Sequence, residues 1–416
     1  MTSDTERHEH PSLPAAYTYF GQMLTHDLSF DPATMHQRQD DPDSLHNVRT
    51  PAFDLDCVYG RGPADQPYLY DRSELYRLLT GSGVDRAEFD VPRNSQGAAL
   101  VGDPRQDETL LLSQLHIVFL ELHNRLLDEE HRKTDDDLPT AAHFTEAQRL
   151  TRWHYQWLVL HDYLPRILDP EVMGRLRRVI EPDRPWHASQ LRHFRPRLKP
   201  FVPIEFAAAA FRFGHALIRD NYELNPLLHD KREQRPIPIF GESADESLNG
   251  GRPLPAGWHV AWPRLLDLDS SDYQRAFRIG PKLSPCLGAL PLPDGRTANL
   301  ALLDLVRGFE HQLPSGQAMA QAMGLPDILS ADASIFPGPE TPLWLYVLEE
   351  AQQQYGGERL GRLGSEIVGE VLVGLVRHDP FSYLALNPRW RPCLPSRGRF
   401  ELSDLVRWAL HYGSDS

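Results

Sequence analysis

Residues 102–130 read GDPRQDETLLLSQLHIVFLELHNRLLDEE. From 107 to 130, Leu111, Leu115, Val118, Leu122 and Leu126 recur at three- and four-residue spacing with charged residues opposite, the pattern of an amphipathic α-helix. Asp107 suits a cap for that helix, which puts Arg105 just ahead of its start. On either side, the same periodicity predicts helices over 15–28, 141–168, 203–219, 297–323, 341–353, 361–377 and 401–411. Strand signals are short and no βαβ alternation occurs. The expected class is therefore mainly α, a helical domain with long ordered loops and little strand. Proline, 36 of 416 residues, exceeds the usual ~5% and accounts for those loops. The longest are 33–75 and a Pro-, Gly- and charge-rich excursion over 225–265. No repeat or composition shift divides the chain. One domain over 15–411 is expected, with a flexible tail at 1–14, carrying His8 and His10, and another at 412–416.

Lys and Arg number 43 against 58 Asp and Glu, a formal charge of −15. That balance argues against nucleic acid and anionic membranes as partners. A hydrophobic share of 41% excludes wholesale disorder. No run of about 18 apolar residues is present, so no integral membrane segment is expected. Met1 to His10 is polar, without a charged-then-apolar leader. The cysteines, Cys57, Cys286 and Cys393, are few and odd in number. Together these lead to a cytoplasmic expectation.

Four constellations could carry chemistry. Gln22 and His26 share one helix face, which suits a general base, although most helical histidines are structural. Thr50-Pro51-Ala52-Phe53-Asp54-Leu55-Asp56, read as extended, points Asp54 and Asp56 the same way. Hard oxygen ligands of that kind suit calcium, and a solvated loop is the plainer reading. Arg105 precedes the clearest helix, where an ordinary surface arginine would be unremarkable. In Phe211-Arg212-Phe213-Gly214-His215, a histidine lies in an apolar helix beside a glycine. A satisfied core histidine is the common outcome, but the missing bulk would also admit a flat ligand.

Taken in order, the segments resemble the animal haem peroxidase family of the peroxidase–cyclooxygenase superfamily, most closely its bacterial branch. They are Gly21-Gln22…His26-Asp27, Asp54-Leu55-Asp56-Cys57-Val58-Tyr59-Gly60, Gly102-Asp103-Pro104-Arg105…Glu108, Leu115-His116…His123-Asn124-Arg125 and Phe211-Arg212-Phe213-Gly214-His215. Leu313-Pro314-Ser315-Gly316-Gln317, Thr341-Pro342-Leu343-Trp344 and Asp379-Pro380-Phe381-Ser382-Tyr383-Leu384 follow. The likeness runs over about residues 15–411. It implies a haem-dependent peroxidase, with H2O2 as oxidant and a small organic or anionic electron donor. His215 would be the axial ligand of the haem iron. His26 would shuttle the peroxide proton, Arg105 would stabilise charge as the O–O bond breaks, and Gln22 would bond pocket water or an anion. Asp27, Thr50, Asp54, Asp56 and the Ala52 carbonyl match a calcium site. Arg212 and Arg307 match positions near the haem propionates.

Departures from the family pattern sharpen these expectations. Glu108 stands where one haem ester forms. Thr25 stands at the other ester position, and Thr109 where some animal members link haem through Met. At most one covalent bond to haem b, through Glu108, is therefore expected. Without the Met link the iron should be less oxidising, which favours bromide, iodide or thiocyanate over chloride. Asp304 replaces the usual Asn partner of the axial histidine and should give it imidazolate character, unless it pairs with Arg307 instead. Arg212 occupies the place of the tyrosine of the superfamily's fatty-acid dioxygenases, leaving that activity as the alternative, with a non-catalytic haem or calcium scaffold third. Few residues precede the distal helix, so part of the usual pocket cover is expected to be missing or supplied by another element. Oligomeric state is open.

Overall fold

The computed structural model describes residues 8–30, 47, 49–81, 90–181, 190–196, 199–232, 235–241, 243–268, 271–291, 296–326, 329 and 335–412. Eight helices, α1 (Ala16–Leu28), α2 (Leu110–His131), α3 (Ala141–Leu158), α4 (Pro170–Ile180), α5 (Leu300–Glu310), α6 (Leu343–Tyr355), α7 (Arg362–His378) and α8 (Leu402–Ala409), carry the packing. Among the described residues the only sheets are antiparallel pairs of short strands. The mainly α expectation holds.

The stripe on α2 explains its place. Thr109 Oγ1 accepts the Leu112 N–H at 3.3 Å and starts the helix. Its apolar residues are buried against α1, α3 and α8. The polar residues that follow on α2 fasten loops. His123 Nδ1 bonds the Tyr59 hydroxyl at 3.0 Å, and Asn124 makes a paired exchange with the Leu78 backbone at 2.8 and 2.9 Å. One cluster of buried side chains extends from Leu13 to Ala409.

Three expected helices are broken, each for a local reason. Over 203–219 a short helix, Ile204–Ala208, stops at Ala209 (φ −134°, ψ −73°) and a 3₁₀ segment follows over Ala210–Leu217. Phe206 and Phe211 stack across this break at 4.6 Å, so ring packing overrides the helix propensity of four alanines. Over 141–168, α3 passes into a π turn, Val159–Tyr163. Pro165 has no N–H for the His161 carbonyl and its ring crowds it, which a widened turn relieves. Over 297–323, Gln312 takes a left-handed conformation (φ 51°), and Ser315 caps a second helix, Gly316–Ala322. Helix α4 was not anticipated, although Asp169-Pro170 is a cap followed by a first-turn proline. Asp169 Oδ1 accepts the N–H groups of Glu171 and Val172 at 2.8 and 2.9 Å.

The tail expected at 1–14 is corrected for residues 9–14, which form strand β1 (Glu9–Pro14) paired with β2 (Arg275–Phe277). His10, expected to be solvated, is buried, and its Nδ1 accepts the Leu13 N–H at 2.7 Å. Residues 1–7 and 413–416 lie outside the described residues. Tyr412 packs against the core.

The 225–265 excursion braces the segment ahead of α2. The Gly250 and Gly251 amides donate to the Glu108 and Asp107 carbonyls at 3.0 and 2.8 Å. A Cβ on Gly250 would come within 1.8 Å of the Asp107 oxygen, so only glycine permits this approach. Two distant motifs also meet: Gln317 exchanges bonds with Thr341 at 2.9 and 3.2 Å.

Candidate active site

A cavity of about 460 Å³ opens between α1, the 105–109 segment and the 3₁₀ segment. Gln22, Thr25, His26, Arg105, Glu108, Thr109, Arg212, His215 and Arg307 all line it. Asp304 stands directly behind His215. The sequence thus scattered ten candidate residues over nearly 300 positions, and the fold gathers nine of them around one cavity with Asp304 behind it.

Helix α1 places Gln22 and His26 one turn apart. His26 is buried, and its Nδ1 has no hydrogen-bond partner among the described residues. Burial, reinforced by the Arg105 charge, pushes its pKa down to about 3, so the imidazole is neutral and able to take a proton. Arg105 is fixed from several sides. It bonds Asp103 (Nη2 to Oδ2 at 2.6 Å) and the His26 carbonyl (3.0 Å), and lies 4.5 Å over the Phe30 ring. Glu108 Oε2 accepts the Gln22 amide at 3.0 Å and lies 3.7 Å from His26 Nε2. Half of the Glu108 side chain, 49%, faces open space, but that space is enclosed by the cavity, and the enclosure pushes its pKa up to about 7.

On the 3₁₀ segment, His215 Nδ1 lies 2.6 Å from Asp304 Oδ2, which leaves Nε2 for a metal. Arg307 Nη1 bonds the other oxygen, Oδ1, at 3.1 Å, and Arg212 Nη1 stands 3.7 Å from it. Both partners weighed for Asp304 are real, because a carboxylate has two oxygens. Burial would raise the Asp304 pKa, but His215 and the two arginines prevail and hold it below the usual range. The cavity wall also suits a flat group. A Cβ on Gly214 would meet nothing within 4 Å, whereas one on Gly21 would fall 2.5 Å from the Tyr163 hydroxyl. Thr25 spends its hydroxyl on the Gly21 carbonyl at 3.1 Å, and Thr109 spends its own on the α2 cap.

Next to His26, Asp27 turns away from the cavity and joins Asp54 and Asp56, with ligand oxygens within 4.8 Å of one another. The 50–56 stretch was expected to be extended, and it is not. Leu55 adopts a left-handed conformation (φ 57°, ψ 39°), which folds the two neighbouring carboxylates together. Asp27 Oδ1 and Asp56 Oδ1 are buried and without a donor among the described residues. Burial, then mutual repulsion, raises Asp27 well above the usual carboxylate range and Asp54 to about 6. Thr50 is exposed, and its carbonyl accepts the Ala52 N–H at 2.8 Å.

Sequence reasoning gave Asp103 and Arg49 no role. Asp103 is fully buried and holds Arg49 Nη2 at 2.6 Å as well as Arg105, and Arg49 Nη1 reaches Asp56 at 3.1 Å. The carboxylate cluster and the cavity arginine are thus joined through two side chains, Arg49 and Asp103. Asp103 belongs to a motif read for its arginine, and no local pattern pairs it with Arg49.

The family model described as animal haem peroxidase matches residues 35–248. Among curated proteins, the thyroid peroxidase of Sus scrofa is 25% identical over 385 residues, covering 82% of this chain and 38% of that protein. The chain spans under two fifths of the length of the curated relatives it matches. Among solved structures, peroxidase A from Dictyostelium discoideum aligns with a TM-score of 0.69 at 17% identity, covering 98% of this chain and 86% of the other. The fatty acid alpha-dioxygenase of Oryza sativa aligns at 0.61 and 15%, covering 90% and 71%. Both share the fold.

Proposed function

The chain belongs to the animal haem peroxidase family, and from that premise we propose that it is a haem-dependent peroxidase. It would reduce H2O2 and oxidise a small organic donor or bromide, iodide or thiocyanate in preference to chloride. The observation that carries this reading is the shared cavity of His26, Arg105 and His215, with Asp304 behind the last.

Haem, when bound, supplies the redox centre for cleaving peroxide and withdrawing electrons from donors. His215 Nε2 would hold the iron, since Nδ1 is committed to Asp304. Neutral His26 takes the proton of peroxide at Nε2 and returns it to the leaving oxygen. Arg105, held by Asp103, offers a fixed positive charge where negative charge grows. Gln22 orients Glu108 through its amide. Arg212 and Arg307 would offset the carboxylates of the cofactor.

Of Thr25, Glu108 and Thr109, only Glu108 carries the carboxyl group that a haem ester needs, so at most one covalent link would form. Acid extraction with mass spectrometry tests this: complete release of unmodified haem b removes Glu108 from the linkage. Asp27, Asp54 and Asp56 would hold calcium, with Thr50 and the Ala52 carbonyl completing the oxygen set, and two unpartnered buried carboxylate oxygens support a cation there. The ion would steady α1 beside His26.

Turnover of guaiacol with H2O2 tests the proposal. His26→Ala is expected to lower the rate about 10²- to 10⁴-fold with haem retained. Wild-type protein that binds haem but shows no peroxidation would leave the non-catalytic scaffold. The likeness in fold to a fatty acid alpha-dioxygenase keeps that activity as the second reading, opposed by Arg212. Oxygen uptake with a polyunsaturated fatty acid and no added peroxide would favour it.

A further inference from the structure

A second cavity, of about 200 Å³, shares no lining residue with the first. Its floor is buried and apolar: Trp157, Leu160, Met173 and Ile180. Its rim is exposed and carries Arg177, Arg391 and Arg399 against one carboxylate, Glu181. Many arginines of the fold find a carboxylate, as Arg49, Arg93, Arg166 and Arg362 do. These three make no ion pair among the described residues, in a chain whose acids outnumber its bases 58 to 43. Among the described residues, Arg391 donates to the Trp390 carbonyl (2.9 Å) and lies 5.3 Å over the Trp157 ring.

The floor has a second feature. Trp157 and His161 stack at 3.7 Å and 18°, and Tyr383 and Trp390 brace the Trp157 ring at 45° and 75°. Trp157 is 7% exposed, and its indole N–H has no acceptor among the described residues. His161 bonds the Tyr383 hydroxyl at 2.9 Å. Burial and the three arginines press its pKa down to about 3, so the imidazole adds no charge, and the rim stays net positive despite Glu181. Convergent guanidiniums around an apolar, aromatic floor recognise one chemistry: a compact organic anion with a flat body.

We propose that this cavity is a binding site for a small aromatic carboxylate, its ring on the Trp157 floor and its carboxylate among Arg177, Arg391 and Arg399. The site is independent of the haem reading, because it draws on none of the same residues. Isothermal titration of the intact protein with benzoate, benzyl alcohol and inorganic phosphate tests it. Benzoate is expected to bind saturably, and benzyl alcohol and phosphate at least about tenfold more weakly, since each lacks one half of the recognition. The double variant Arg177→Gln/Arg399→Gln, on exposed side chains, should weaken benzoate at least about tenfold with an unchanged melting temperature. Ile180→Trp, which fills the floor, should abolish binding. Benzoate affinity that survives both variants would place the ligand elsewhere and overturn the proposal. So would phosphate binding as tightly as benzoate, or the absence of saturation.

Discussion

Asp103 is fully buried, yet it holds two guanidiniums, and each of those reaches a different part of the site. Replacing it with Asn would leave Arg105 without a counter-charge and Arg49 with Asp56 alone. Asp103→Asn is expected to cost about 3 kcal/mol in urea unfolding, because an unpaired buried charge is left behind. It should also slow the reaction with peroxide by about ten- to hundredfold through loss of Arg105 orientation, measured by stopped-flow. An unchanged rate would show that Phe30 and the His26 carbonyl suffice to hold Arg105. Asp304→Asn is expected to raise the Fe(III)/Fe(II) potential and weaken haem retention about 10- to 100-fold. An unmoved potential in spectroelectrochemistry would mean that Asp304 serves only its arginines. At this scale the sequence was readable where one residue defines the chemistry, as at His26 and His215. It was silent where a residue acts through a partner brought near by folding. Arg49 and Asp103 are 54 positions apart, and no periodicity links them.

Helices were legible where an apolar stripe meets a core, as on α2 and α7, and illegible where packing overrides propensity. The stacking of Phe206 on Phe211 is set by how those rings pack, whereas the missing amide of Pro165 is local and changes the winding of the turn before it. One junction between elements carries a pH response. Glu350 on α6 is buried and accepts the Leu363 and Gly364 amides at 2.9 and 3.1 Å, at the start of α7. A helix start favours an anion, but burial dominates and lifts its pKa from 4.5 to about 7. The folded state therefore holds its proton more tightly than the unfolded one. The stability linked to that proton is complete below pH 4.5 and is lost as pH rises to about 7, by about 3 kcal/mol at most. Glu350→Gln should flatten that decline in melting temperature across the window. Parallel wild-type and variant profiles would assign it to other groups.

Across the whole molecule, the order of the motifs pointed to the family, and the fold brings residues from several of them to one cavity. The excursion over 225–265 was read as a separate feature, but it is a brace for Glu108, because its glycines bond a segment more than a hundred residues earlier. Calcium would act over a similar reach. The ion is expected to add about 3 kcal/mol at a free concentration a hundred times its Kd, so EGTA should lower the melting temperature. Asp54→Asn should remove that sensitivity. Calcium-loaded and chelated protein melting together would sink the cation site.

The π turn has a last consequence. It sets Tyr163 in the wall of the haem cavity and His161 in that of the outer pocket, two residues apart. Each residue of a helix advances it by about 100°. Loss of a single codon within 159–163 would restore ordinary winding and swing one of these rings out of its chamber. Helix length would hardly change, and both chambers would be rebuilt by an edit that most alignments would score as trivial.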